Sequence, residues 1–181
     1  MFENIIKEIS HNNSWGCSVK EYSYIVDILT KYDDGCNFLV FGLGKDTKLW
    51  DMVNNKGKTV FLENLDVWIK KTKDELNVDV RKVEYTTIRK EWNSILDDKK
   101  RLYLPLDKDI IETKWDLIFI DSPMGGNDSV PGRMQSIYTA STLNCKDYIL
   151  HDVDRVVEKT YGNKYLGTLV KTIDKLNHYQ K

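Results

Sequence analysis

The chain is almost without alanine: Ala140 is the single one among 181 residues. Asn and Lys are abundant instead, a bias that an AT-rich genome produces and that carries little chemistry. Cysteine is scarce too. Cys17, Cys36 and Cys145 are an odd number with no C-x-x-C spacing, which implies no disulfide framework or zinc ribbon. Free thiols in a reducing compartment are the simpler reading. Long apolar runs are missing, and none approaches the roughly 18 residues of a membrane span. The opening "MFENIIKEISHNN" lacks a basic stretch followed by a long apolar one. These absences predict a cytoplasmic protein with no membrane partner. Charge excess is absent as well: 27 basic against 28 acidic residues leave a net charge of −1. No broad field attracts nucleic acid, so none is expected as a partner.

What is present suits one globular domain over residues 1–181, with a helical N-terminal segment over 1–35. "SVKEYSYIVDILTKY" opens on Ser18-x-x-Glu21, a capping box, and continues with apolar residues at helical spacing. Four compact apolar runs follow, at 37–42, 58–63, 78–85 and 115–121, with a weaker fifth at 147–152. Unbroken apolar runs suit strands buried on both faces, hence a parallel sheet. Helix-like segments alternate with them, at 46–55, 65–76, 88–96, 132–144 and 152–166. The beat predicts an α/β fold, doubly wound, with a mostly parallel sheet and helices on both faces. Segment 97–114, rich in Asp and Lys, reads as a surface excursion, and the tail from Gly167 as a closing hairpin. Trp50, Trp68, Trp92 and Trp115 read as packing residues; Trp15 lies in a loop and takes no assigned role.

Right-handed crossovers place the carboxyl ends of the parallel strands on one edge, where such folds bind ligands. Four stretches reach that edge. "FGLGKD" puts Phe41, Gly42, Leu43, Gly44 and Asp46 where the first strand turns into a helix, so a bare backbone can approach a ligand. The third position of a G-x-G-x-x-G fingerprint is Thr47, which weakens a dinucleotide reading and suits S-adenosylmethionine better. Glu63, with Asn64 behind it, ends the second strand where an acid can accept from ribose hydroxyls. Asp121 and Ser122 open a loop rich in Pro and Gly that carries Asp128 and leads to Arg133. Arg133 suits either a bidentate clamp on a substrate carboxylate or a loop-pinning ion pair. His151 and Asp152 end the fifth strand, and Asp154 and Arg155 open the next helix. His151 suits a general base. Asp121, His151 and Asp152 together also suit a divalent metal ion that lowers the acceptor's pKa. The residues alone do not choose between those roles.

"CNFLVFGLGKDTKLW", "TVFLE", "WDLIFIDSPMGG", "PGRMQSIYTA" and "HDVDRVVEKTY" together resemble the glucuronoxylan 4-O-methyltransferase family of plants, which includes arabinogalactan glucuronic acid methyltransferases. The resemblance runs from about Ser18 to Tyr165. It implies a class I methyltransferase fold, S-adenosylmethionine as cofactor, and methyl transfer to the 4-hydroxyl of glucuronic acid in a glycan. By position it implies Phe41 to Gly44, Asp46, Glu63, Asn64, Tyr85, Asp121 and Ser122 at the cofactor, and Asp128, Arg133 and Arg155 toward a uronic acid substrate. Asp121, His151 and Asp152 are the implied catalytic residues. The chain departs from the pattern at Lys45, where a His is usual, at Asn64, the second of an expected acid pair, and at Gly126, where an aromatic is usual. Plant members are anchored in Golgi membranes, whereas this sequence reads as unanchored, cytoplasmic and of viral, microbial or protist origin. Two rivals stay open: a methyltransferase for another sugar or a small phenol, and a non-catalytic glycan-binding or scaffolding protein.

Overall fold

The computed structural model describes residues 2–13 and 16–181, so Trp15 lies outside the described residues. Seven strands form one sheet in the order β3-β2-β1-β4-β5-β7-β6. They are β1 (Asn37–Phe41), β2 (Lys58–Glu63), β3 (Asp79–Lys82), β4 (Trp115–Ile120), β5 (Cys145–Leu150), β6 (Thr168–Ile173) and β7 (Leu176–Gln180). The first five are parallel, as the apolar runs predict. The tail forms the closing hairpin, with β7 antiparallel to both β5 and β6.

Alternation along the strands explains the unbroken apolar runs. In β1, Leu39 and Phe41 join one buried cluster while Phe38 and Val40 join the other. One face is covered by α1 (Glu3–Asn12), α2 (Val19–Leu29), α3 (Thr47–Val53) and α4 (Asp66–Glu75). The other is covered by α5 (Lys99–Leu102), α6 (Lys108–Glu112), α7 (Met134–Thr142) and α8 (Val156–Tyr165). Helix α2 begins as its sequence dictates. The Ser18 hydroxyl accepts from the Glu21 N–H, and Glu21 Oε2 accepts from the Ser18 N–H at 2.6 Å. Tyr22, Ile25, Ile28 and Leu29 then face the sheet, each contributing about 1.5–3 kcal/mol by burial. Trp50 and Trp115 are core residues; Trp68 and Trp92 are half-buried.

Two expectations are corrected. The helix predicted over 88–96 shrinks to a 3-10 turn, Arg89–Glu91. Tertiary bonds hold the segment instead: Tyr161 donates to Trp92 O at 2.6 Å and Tyr165 donates to Leu96 O. Segment 97–114 is no surface excursion. Leu102, Leu104 and Ile110 are fully buried, and Leu104 N–H donates to Thr139 Oγ1 at 2.8 Å. Its charges misled the reading because they turn outward, where Asp107 and Asp109 pair with Arg81.

Candidate active site

The carboxyl edge of the sheet collects two groups of side chains. The first surrounds the β1–α3 turn. Gly42 has φ of 121°, and a Cβ there would lie 2.8 Å from Ser122 Cβ, so the ends of β1 and β4 close against each other only because Gly42 is bare. Gly42→Ala is expected to cost about 1–3 kcal/mol, read as a lowered urea midpoint. Glu63, buried at the end of β2, holds the turn. Its Oε2 accepts from Leu43 N–H at 2.9 Å, and its Oε1 from Asn64 and Leu65 N–H at 2.7 and 2.8 Å. Three backbone donors leave one of its roughly four acceptor positions for a ligand. Phe41 is fully buried, and Leu43 and Asn64 are half-buried beside Glu63. Tyr85 stands behind this edge, its hydroxyl 2.9 Å from Ser136 Oγ, which bonds the Ser122 carbonyl at 2.7 Å.

Asp46 differs from Glu63. It precedes α3 and is buried, with no side-chain capping bond, and it pairs with no cation among the described residues. Burial and the nearby Asp121 charge push its carboxyl up to about 6. A buried acid without a salt-bridge partner among the described residues fits a cationic ligand group.

The second group spans the ends of β4 and β5. Asp121 Oδ1 meets His151 Nδ1 at 2.9 Å and Arg133 Nη2 at 3.0 Å. Arg133, 5% exposed, also meets Asp152 Oδ2 at 2.7 Å and donates to the carbonyls of His151 and Pro123. Its guanidinium is therefore engaged within the protein, in the loop-pinning geometry rather than facing a substrate. Asp152 holds φ of 62° and also meets Arg155 Nη1 at 2.9 Å. Arg155 remains partly exposed, with 27% of its side chain open. Asp128 is not brought to the cluster; it is exposed and pairs with Arg89.

Burial works against charge on both members of the His151–Asp121 pair, and their mutual attraction wins. Desolvation would lower His151, but Asp121 drives it far above the usual histidine range. Desolvation would raise Asp121, but His151 and Arg133 hold it below the usual carboxylate range. The shift favours the imidazolium form of His151, which is 1% exposed, its Nε2 left without a hydrogen bond 3.6 Å from Glu21 Oε2.

A cavity of about 490 Å³ opens over this group. Its lining includes His151, Asp152, Arg155, Cys17, Glu21 and Lys175. Sequence reasoning missed three neighbours. Cys17 was read only as a free thiol and Glu21 only as a cap. Glu158, buried in α8, has no sequence signal beyond standing three residues after Arg155.

Of the expected metal set, Asp121 and Asp152 stand 2.9 and 3.8 Å from His151 Nδ1. Cys17, Asp121 and His151 bring donor atoms within 4.8 Å of one another, while Asp152 is taken by two guanidinium groups. Burial pushes the Cys17 thiol up to about 12. A metal ion at Cys17, Asp121 and His151 would have to displace the proton of the thiol and compete with Arg133 for Asp121.

Comparison with known proteins agrees with the fold. The family described as IRX15/IRX15L/GXM matches residues 20–105 and 102–179. Glucuronoxylan 4-O-methyltransferase 2 of Arabidopsis thaliana is 35% identical, covering 80% of this chain and 59% of its own length. Protein IRX15-LIKE of the same plant is 32% identical, covering 93% and 62%. Arabinogalactan O-methyltransferase 1 is 34% identical, covering 82% and 61%. The chain thus spans about three-fifths of these relatives. The crystal structure of a candidate caffeoyl-CoA O-methyltransferase from Staphylococcus aureus superposes with a TM-score of 0.56 at 13% identity, covering 100% of this chain and 93% of that one. It confirms a Rossmann-like class I methyltransferase fold. The expectation of a cytoplasmic protein is overturned, because the relatives are plant proteins named for glucuronoxylan, arabinogalactan and irregular xylem, which belong to the cell wall. No helix among the described residues is long and apolar enough to cross a membrane.

Proposed function

The chain belongs to the IRX15/IRX15L/GXM family, and from that membership and the site geometry we propose that it is an S-adenosylmethionine-dependent O-methyltransferase. The proposed acceptor is the 4-hydroxyl of a glucuronic acid residue in a glycan. One observation carries the reading: a bare-backbone turn, a buried acid without a salt bridge and a charged cavity lined by His151, Asp152 and Arg155 lie on the same sheet edge.

The residues fit the cofactor. Its amino acid end carries an ammonium group, and Asp46, which has no salt-bridge partner among the described residues, offers that group a carboxylate. Glu63 keeps one acceptor position for a ribose hydroxyl. When bound, the cofactor supplies an electrophilic methyl group on a sulfonium. The protein's own work is to hold the acceptor oxygen in line with that methyl and to manage one proton.

His151, being cationic, does not take that proton. It fixes Asp121 from one side while Arg133 fixes it from the other. Both bonds fall on Oδ1, which leaves Oδ2 to accept from the acceptor hydroxyl. We assign proton handling to Asp121 and support of Asp121 to His151. Arg155, open to the cavity, takes the uronate role.

The test is turnover with glucuronic acid-bearing xylan fragments, reading S-adenosylhomocysteine and the methylated product. Glu63→Ala removes the acceptor of three backbone donors and is expected to abolish cofactor saturation at ordinary concentrations. Absence of any methylated uronate from folded wild-type protein sinks the proposed acceptor.

A further inference from the structure

Glu158 plays no part in the mechanism above, yet it is the most confined carboxyl group at the site. It is 0% exposed, and neither oxygen has a hydrogen-bond partner. Arg155 Nη1 stands 3.8 Å from its Oε1, beyond hydrogen-bond reach, and 2.9 Å from Asp152 Oδ2 instead. The loop after β4 seals the pair. A Cβ on Gly125 would lie 2.4 Å from Glu158 Oε1 and 3.3 Å from Arg155 Nη1, so only glycine allows the backbone to lie across them.

The guanidinium groups nearest Glu158 already have other partners. Arg133, Arg155 and His151 face Asp121, Asp152 and Glu21. The charged groups that bear on Glu158 are Arg133 at the start of α7 and Arg155 and Asp152 before α8; Gly125 brings only uncharged backbone. An ionised Glu158 would be a buried anion with no hydrogen bond, 3.8 Å from the Arg155 guanidinium, a costly arrangement. Burial accordingly raises its carboxyl above the usual range, against the pull of the two arginines. An incoming carboxylate at Arg155 would compete with an ionised Glu158 for the same guanidinium, so the two are alternatives.

We propose that Glu158 is a specificity-determining positioning residue, a neutral carboxyl beneath Arg155 that leaves the guanidinium's charge for an anionic acceptor and closes the subsite when it ionises. The inference deepens the proposed uronate acceptor and rests on it, and it is tested by binding rather than by turnover. Methyl glucuronoside and methyl glucoside are titrated against the full chain by NMR, from mildly acidic to alkaline pH. Wild type is expected to prefer the uronate, with the preference falling as pH rises. Glu158→Gln is expected to keep the preference at alkaline pH, and Arg155→Gln to lose it throughout. A second measurement needs no variant. Calorimetry of uronate binding at alkaline pH, in buffers of different ionisation enthalpy, is expected to show net proton uptake. Absence of a uronate preference in wild type, an unchanged pH profile in Glu158→Gln, or no proton uptake overturns the proposal. Uronate preference without turnover leaves this inference standing and removes the catalytic reading.

Discussion

An Asp121→Asn variant is expected to lose about 10²–10⁴ in turnover and about 3–5 kcal/mol in stability. The two losses share one cause. Asp121 Oδ1 is the common partner of His151 and Arg133, both almost wholly buried. An amide leaves two buried cations short of their anion. It also removes the carboxylate assigned to the acceptor proton. The pH behaviour follows from the direction of the shift. Asp121 is held below the ordinary carboxylate range, so its stabilising contribution is complete above that range and fades as pH falls through its folded value. Urea unfolding at neutral and acid pH checks this: the gap between wild type and variant should narrow on acidification. His151, kept protonated far above neutrality, should give the turnover profile no limb in the ordinary histidine range. A limb there would return His151 to the role of base.

Asp46→Asn is expected to do the opposite to stability. The folded protein holds the Asp46 proton up to about 6, against 3.8 for the ordinary group. Such a group binds more protons folded than unfolded, so stability declines as pH rises across that window and stays lower above it. The asparagine variant escapes the penalty and should gain as much as about 3 kcal/mol at neutral pH, two units at 1.36 kcal/mol each. The same change removes the carboxylate offered to the cofactor's ammonium group. Affinity should fall about 10- to 100-fold, the worth of a charge-assisted hydrogen bond. A more stable protein that binds its ligand worse is the mark of a residue kept for function. A destabilised variant with unchanged affinity would make Asp46 structural.

Much of the scaffold was legible because its signals are local. The runs containing Val40, Phe61 and Phe119 had to be strands buried on both faces, and Ser18 with Glu21 had to start a helix. Gly42 was legible because one residue type does what the turn needs. The ionic cluster was legible only as a list of residues. Whether Arg133 faces substrate or the protein depends on Asp121, Asp152 and two carbonyls, drawn from two loops. His151 read as a base because an isolated imidazole titrates near neutrality. Its state is set by Asp121, thirty residues away in sequence and 2.9 Å away in space. Glu158 was invisible for the same reason, since on a helix an acid reads as solvated until the loop bearing Gly125 is laid over it.

The most direct measurement is titration calorimetry of S-adenosylmethionine and S-adenosylhomocysteine against the folded chain at neutral pH and below pH of about 6. The account predicts micromolar binding at neutral pH, on the order of −8 kcal/mol, weakening as Asp46 takes up its proton. Folded protein that binds neither ligand would contradict it.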